Sequence, residues 1–177
     1  MQAVPFTVDR AEAFRRWVRD KSPFLMAPSV TSVSSWYLPF WVFDCAVETT
    51  VGSKRFHRRV SGPDMQVYAG HGFRRSMLEV CKGPVEEARS FQADMLHIGF
   101  DGGVQGGQHT PITVDVDSWE VYESTALARC KAAVIRHEEQ VYSPLYPSKR
   151  INVSFNEITS RRVLLPCHLV EYGHMGG

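Results

Sequence analysis

Two stretches far apart in this chain share one pattern: Trp36-Tyr37-Leu38-Pro39-Phe40-Trp41-Val42-Phe43-Asp44 and Val163-Leu164-Leu165-Pro166-Cys167-His168-Leu169-Val170-Glu171. Each is a hydrophobic run interrupted by Leu-Pro, continued by a ring and apolar residues, and closed by an acid. Proline has no backbone N–H, so it suits the first position of a strand, and the β-branched and aromatic residues after it suit the strand itself. Both stretches are expected to be strands entering the core, with Trp41, Phe43, Leu165 and Leu169 inside and Asp44 and Glu171 where each strand leaves it.

A chain of 177 residues can bury one substantial core and is short for two, so a single domain over 1–177 is expected. Its hydrophobic share of 44% and charged share of 22% are those of ordinary globular proteins. A net charge of +1 argues against attachment to nucleic acid by bulk charge. Cys45, Cys81, Cys130 and Cys167 lie far apart without a CxxC pair, which reads as free, structural cysteines, a Cys45–Cys167 bridge being the alternative. No apolar run reaches the roughly 18–20 residues that cross a bilayer. The N-terminal Met1-Gln2-Ala3-Val4-Pro5 carries no secretory signal, so an intracellular location, cytosolic or organellar, is expected.

Along the chain, Val8, Ala11, Phe14 and Trp17-Val18 recur at helical spacing, predicting a helix over about 8–21 with Thr7 as cap, Asp9 and Glu12 early and Pro23 as stop. Phe24 to Ser35 reads as a connector. Beyond Phe43, Cys45, Val47 and Thr49 alternate with polar residues, and Gly52-Ser53 offers a hairpin turn into Phe56–Val60. Short strands are expected at Met65–Ala69, Ser76–Cys81 and Pro111–Val116, and a short helix over Pro84–Met95. Gly102 to Gly107 reads as a loop. Asp117 with Glu120 resembles a capping box for a long amphipathic helix over about 118–140, striped by Trp119, Tyr122, Ala126, Cys130, Ala133 and His137. Ile151, Val153 and Phe155 alternate as a strand, with a turn at Thr159-Ser160-Arg161. The class is α+β: a mainly antiparallel sheet packed by the long helix and the shorter N-terminal one.

Two basic clusters stand out. Arg15, Arg16 and Arg19, within 15–21, suit either a solvated helix face or a phosphate-binding patch. Lys54, Arg55, Arg58 and Arg59, within 54–59, surround Phe56 and His57. Cations with an interleaved ring suit a single-stranded nucleic acid, and they equally suit an edge strand guarded against pairing. The chain shows no metal-ligand spacing, no HExxH, no GxSxG and no phosphate loop, so no metal, cofactor or catalytic residue is assigned. His109 reads as a solvated loop histidine. A thiolate–imidazole pair drawn from Cys45, His57, Cys167 and His168 is the enzyme reading, although neighbours Cys167 and His168 point to opposite faces of a strand.

The order Pro5-Phe6…Ala11…Phe14…Trp17, Ala27-Pro28-Ser29, Tyr37 through Asp44, and Leu164-Leu165-Pro166 with Val170-Glu171-Tyr172 resembles a family of poorly characterised, mostly bacterial proteins. They are described as zinc-ribbon or primosomal-helicase-like and are tethered to membranes. The likeness is carried by the two ends of the chain and is weak between about residues 62 and 150. It concerns the β-rich domain only: this chain carries neither the zinc ribbon nor the membrane helix, so the helicase label does not transfer. Gly173-His174-Met175-Gly176-Gly177 stands where the family strand would run on through a hairpin. The resemblance implies no catalytic residues. It implies a non-catalytic binding or assembly domain, an accessory subunit with protein partners in a membrane-associated complex. Nucleic-acid binding through the basic clusters is the alternative, and a Cys/His enzyme the third reading.

Overall fold

The two Leu-Pro stretches lie side by side on neighbouring antiparallel strands. Leu38 faces Leu165, Pro39 faces Leu164, and Tyr37 faces Pro166. The computed structural model describes residues 1–8, 10–21, 29–78, 81–98 and 112–173. Strand β2 runs over Ser29–Val51 and β9 over Ile151–Gly173, each 23 residues long. Before β2 come β1 (Gln2–Ala3) and helix α1 (Arg10–Lys21), and between β2 and β9 come β3 (Lys54–Val60), β4 (Gln66–Tyr68), the one-turn helix α2 (Arg75–Leu78), β5 (Arg89–Ser90), β6 (His97–Ile98), β7 (Ile112–Thr113), β8 (Asp115–Val116) and helix α3 (Glu123–Tyr142). Among the described residues the main sheet has seven strands, in the order β3-β2-β9-β1-β5, with β4 and β8 also paired to β2. The β1–β9 and β2–β8 pairs are parallel and the other pairs are antiparallel. The fold is α+β.

The prolines sit inside their strands, not at the first position. The reason is the side to which each missing donor points. The Pro39 carbonyl accepts from Ala69 N at 2.8 Å, at the end of β4. Because a strand residue presents its N and C=O to the same side, the missing Pro39 donor faces β4 and not β9. The Leu164 carbonyl likewise accepts from Val4 N at 3.0 Å. Pro166, two residues on, therefore faces the β1 side beyond the end of that short strand.

Cys45, Val47, Thr49 and Val51 are buried in alternation with half-buried neighbours, as the sequence pattern requires. Gly52, at φ 62, takes the first central position of the two-residue turn into β3, where a positive φ is needed. Four other expectations fail. The connector before Trp36 is already strand from Ser29. Of the strand expected at Ser76–Cys81, the described part up to Leu78 belongs to a turn of helix, Arg75–Leu78. Pro84–Met95 is not a helix: it holds the two residues of β5 and a 3-10 turn at Ala93–Leu96. No turn separates Ile151 from the second Leu-Pro stretch either. At that point β9 carries a bulge, where the register steps from Asp44↔Thr159 to Ala46↔Asn156 and Glu157 adopts φ 50. Two residues of β9 oppose one of β2, so the strand bends without ending. Gly102–Gly107 and His109 lie outside the described residues, as do Asp9 and Pro23.

The two faces of β2 are covered by different parts of the chain. Trp41, Phe43, Cys45 and Val47 pack with Ala126, Cys130 and Val134 of α3. Leu38, Phe40 and Val42 pack with Val163 and Leu165 of β9 and are covered by Leu78 and Val85. A third cluster joins Tyr37 and Leu164 to Ala3, Met95 and Val114. Each large side chain buried this way contributes about 1.5–3 kcal/mol relative to exposure. Helix α1 lies at the far end of the α3 side, where Arg10 Nε donates to Ser35 Oγ at 2.7 Å. Its Val18, expected in the apolar stripe, is exposed.

Candidate functional site

Helix α3 has one stripe in the core and a second beside it. The buried stripe is Ala126, Cys130, Val134 and Glu138, a spacing of four throughout. The expected stripe shared Ala126 and Cys130 but continued to Ala133 and His137, which are exposed. The helix begins after Tyr122, with no side-chain cap. Asp117 is therefore not its N-cap. It accepts instead from the Tyr68 hydroxyl, while its other oxygen takes Ser118 N at 2.9 Å.

The exposed stripe fronts a cleft of about 520 Å³ between α3, β4 and the segment after α2. That volume lies within the usual range for ligand sites. Arg129, Ala132, Ala133 and Arg136 line one wall, Leu78 and Lys82 stand on another, and Phe40, Gln66, Val67 and Tyr68 contribute the floor. At helical spacing, 129, 132, 133 and 136 share one face, so the two guanidinium groups flank a flat alanine step. Asp64 and His71 complete the rim. No ion pair or hydrogen bond engages Arg129 or Arg136 among the described residues.

The walls are held by short-range polar geometry. Gln66 is buried and reads both backbone groups of Gly83, donating to its O at 2.6 Å and accepting from its N at 3.2 Å. This pins the Lys82 segment to β4. Glu120 N and Val121 N donate to Ala69 O at 2.7 and 2.8 Å, and Trp41 Nε1 donates to Val121 O at 2.8 Å. Gly70 has no room for a side chain, because a Cβ there would run into the Asp117 carboxylate and the Tyr68 hydroxyl. Burial, and then the hydrogen bond to Asp117, push the Tyr68 phenol up from its usual value, so it stays protonated and is no base at neutral pH. His71 meets Glu120 at 3.0 Å on the exposed rim.

The residues singled out from sequence lie elsewhere. On α1, Arg15 and Arg16 both reach Glu12, at 3.4 and 2.9 Å, and Arg19 is also engaged. On β3, Lys54 Nζ lies 3.2 Å from the Tyr146 hydroxyl and 5.0 Å from its ring centroid. Arg58 pairs at 2.5 Å with Glu138, which is 2% exposed and also accepts from Thr49 Oγ1 at 2.6 Å. Arg59 is 3.9 Å from Glu157. Arg55 is exposed. Since β3 is the sheet's edge, its cations guard an open strand.

The four members of the Cys/His constellation do not converge. Cys45 is buried with Cys130 in the α3 core. His57 sits opposite Glu48, 3.5 Å away, on the other face of β2 from Cys45. His168 is held between Ser35 Oγ at 2.9 Å and Val8 O at 2.8 Å. Cys167 points to the opposite face, where it meets Cys81, with 2.9 Å between sulfurs. Arg129 and Arg136 were not anticipated. The available signal was two arginines seven apart around Ala132-Ala133, inside a helix whose core stripe lies elsewhere.

No family profile matches the chain, and no solved structure matches it. It is similar to the uncharacterised protein YdjG of Bacillus subtilis strain 168, with 27% identity over 106 residues. That match covers 54% of this chain and 31% of YdjG, so the chain spans less than a third of its relative's length. Among the described residues no helix is long and apolar enough to cross a membrane.

Proposed function

We propose that the protein is a non-catalytic binding or assembly domain, an accessory subunit that takes an acidic segment of a protein partner into the cleft beside α3. The observation that supports this reading is the pairing of Arg129 and Arg136 across Ala132-Ala133, over a floor that includes Phe40 and Val67. Two arginines with no ion pair among the described residues, against the single carboxylate of Asp64, favour an anionic occupant. The flat alanine step and Leu78 favour one that also brings an apolar side chain. A peptide mixing Glu or Asp with Leu or Phe satisfies both. Two of the groups lining the cleft are poorly suited to act as nucleophiles: the Tyr68 phenol is held protonated, and burial pushes the Cys130 thiol up to about 11.

The test is fluorescence anisotropy with a labelled peptide alternating glutamate and leucine. Saturable binding at low salt is expected. It should weaken at least tenfold, about 1.4 kcal/mol, in the Arg129→Glu/Arg136→Glu double variant. No saturable binding, or binding indifferent to that reversal, overturns the reading. A labelled single-stranded oligonucleotide provides the second arm. Retention lost on reversing Arg15, Arg16, Arg19 or Arg55 would move the assignment to nucleic acid.

A further inference from the structure

Cys81 and Cys167 come from separate parts of the fold, the segment after α2 and the second Leu-Pro stretch of β9. Their sulfurs are nevertheless 2.9 Å apart, and both residues are half-buried on the same face of the sheet. The Cys81 thiol donates toward Cys167 and lies 3.4 Å from Met77 O. The other two cysteines, Cys45 and Cys130, are buried in the α3 core.

We propose that Cys81 and Cys167 form a redox modification site, a dithiol that a peroxide converts reversibly to a disulfide. Joining the sulfurs requires them to close to about 2.05 Å, roughly an ångström of movement, and Cys81 lies in an irregular segment able to supply it. Cys167 is the attacking thiol. Its sulfur receives the Cys81 hydrogen bond, which favours the thiolate and lowers its pKa, whereas the same bond together with burial raises that of Cys81.

The thiolate sulfur of Cys167 attacks one peroxide oxygen and the O–O bond breaks. The products are the sulfenic acid and, after protonation, water. Cys81 sulfur then displaces the sulfenic oxygen as a second water. Both thiol protons leave in the two waters, and the two electrons lost by the sulfurs reduce the peroxide. A dithiol reductant reverses the step by exchange. The bond formed fastens the segment carrying Leu78 and Lys82 to β9, but its formation does not depend on what the cleft binds.

The experiment is thiol mapping on the reduced full chain, treated with hydrogen peroxide, alkylated after denaturation and digested. Two of the four thiols should be lost to a single Cys81–Cys167 peptide pair and recovered with dithiothreitol. Cys45 and Cys130 should remain alkylated. In Cys81→Ser, Cys167 should accumulate as its sulfenic acid, trapped by dimedone, and in Cys167→Ser the reaction should stop. Four alkylated thiols after treatment, links through Cys45 or Cys130, or links only between molecules would overturn the proposal. Mapping of the wild-type chain decides it even where a serine variant does not fold.

Discussion

The cations of β3 and those of α3 look alike in composition and differ in circumstance. On β3, Lys54, Arg58 and Arg59 stand close together in sequence, and each meets a partner: the Tyr146 ring and hydroxyl, the buried Glu138 carboxylate, and Glu157. On α3, Arg129 and Arg136 are separated by two turns of helix and converge on one cleft, with no ion pair among the described residues. A dense basic run in a chain of net charge +1 is thus mostly structural, and a sparse pair forms the more available electropositive surface. Proximity along a strand distributes side chains over both faces, whereas a spacing of seven along a helix gathers them on one.

The sharpest way to break that contrast is within β3 itself. Arg58→Ala leaves the Glu138 carboxylate buried with Thr49 alone. It should cost about 3 kcal/mol in urea unfolding, the scale expected for an uncompensated buried charge. If Arg58 proves as tolerant as an ordinary surface residue, the structural reading of the cluster fails. Next in size is Gly70→Ala, which forces a methyl group against Asp117 and Tyr68 and should cost about 2 kcal/mol. Its peptide binding should weaken as well, because β4 forms the cleft floor.

Alkaline pH should show a smaller effect. The Cys130 thiol, held protonated by burial, has its pKa raised from 9.0 to about 11, and the Tyr68 phenol is shifted in the same direction. A raised folded-state value means that the folded chain binds the proton more tightly than the unfolded one. The stability it contributes is complete below pH 9 and is lost as pH rises toward 11. Urea titrations should show wild-type stability falling across that window and a flatter profile in Cys130→Ala. The smallest expected effects are those of Arg55→Ala, Arg129→Ala and Arg136→Ala, each within about 0.5 kcal/mol. For the α3 pair, loss of peptide binding at unchanged stability would sharpen the distinction between the two basic regions.

Pattern alone reached the α+β class, the alternation of Cys45, Val47 and Thr49, the Gly52-Ser53 hairpin and both helices. These rest on periodicity and on backbone preference, which are local. What escaped it depends on partners distant in sequence. The polar Thr159-Ser160-Arg161 looked like a turn, but it is strand because β2 supplies its hydrogen bonds through the bulge at Glu157. Glu138 could not be placed in the core stripe from its own chemistry, since only Arg58 and Thr49 make its burial tolerable. Asp117 carried the signature of a helix cap, but Tyr68, brought beside it by β4, claims the carboxylate. The cleft was unreadable for the same reason: its walls come from α3, β4 and the segment after α2, which only the tertiary fold assembles.

The β2–β9 pairing also sets a schedule. Strand β2 is the hub of the main sheet, and its longest partner is β9, the last described element of the chain. Until β9 has emerged from the ribosome, one whole edge of β2 is unpaired, although the segments that pack on its faces have already been made. Contacts of such long sequence separation are slow to form, and the waiting strand is exposed to wrong partners. A nascent chain arrested before Ile151 should therefore be digested by protease throughout, and one arrested far enough beyond Gly173 to free β9 should not. The central strand pair is completed late, when the second Leu-Pro stretch closes against the first.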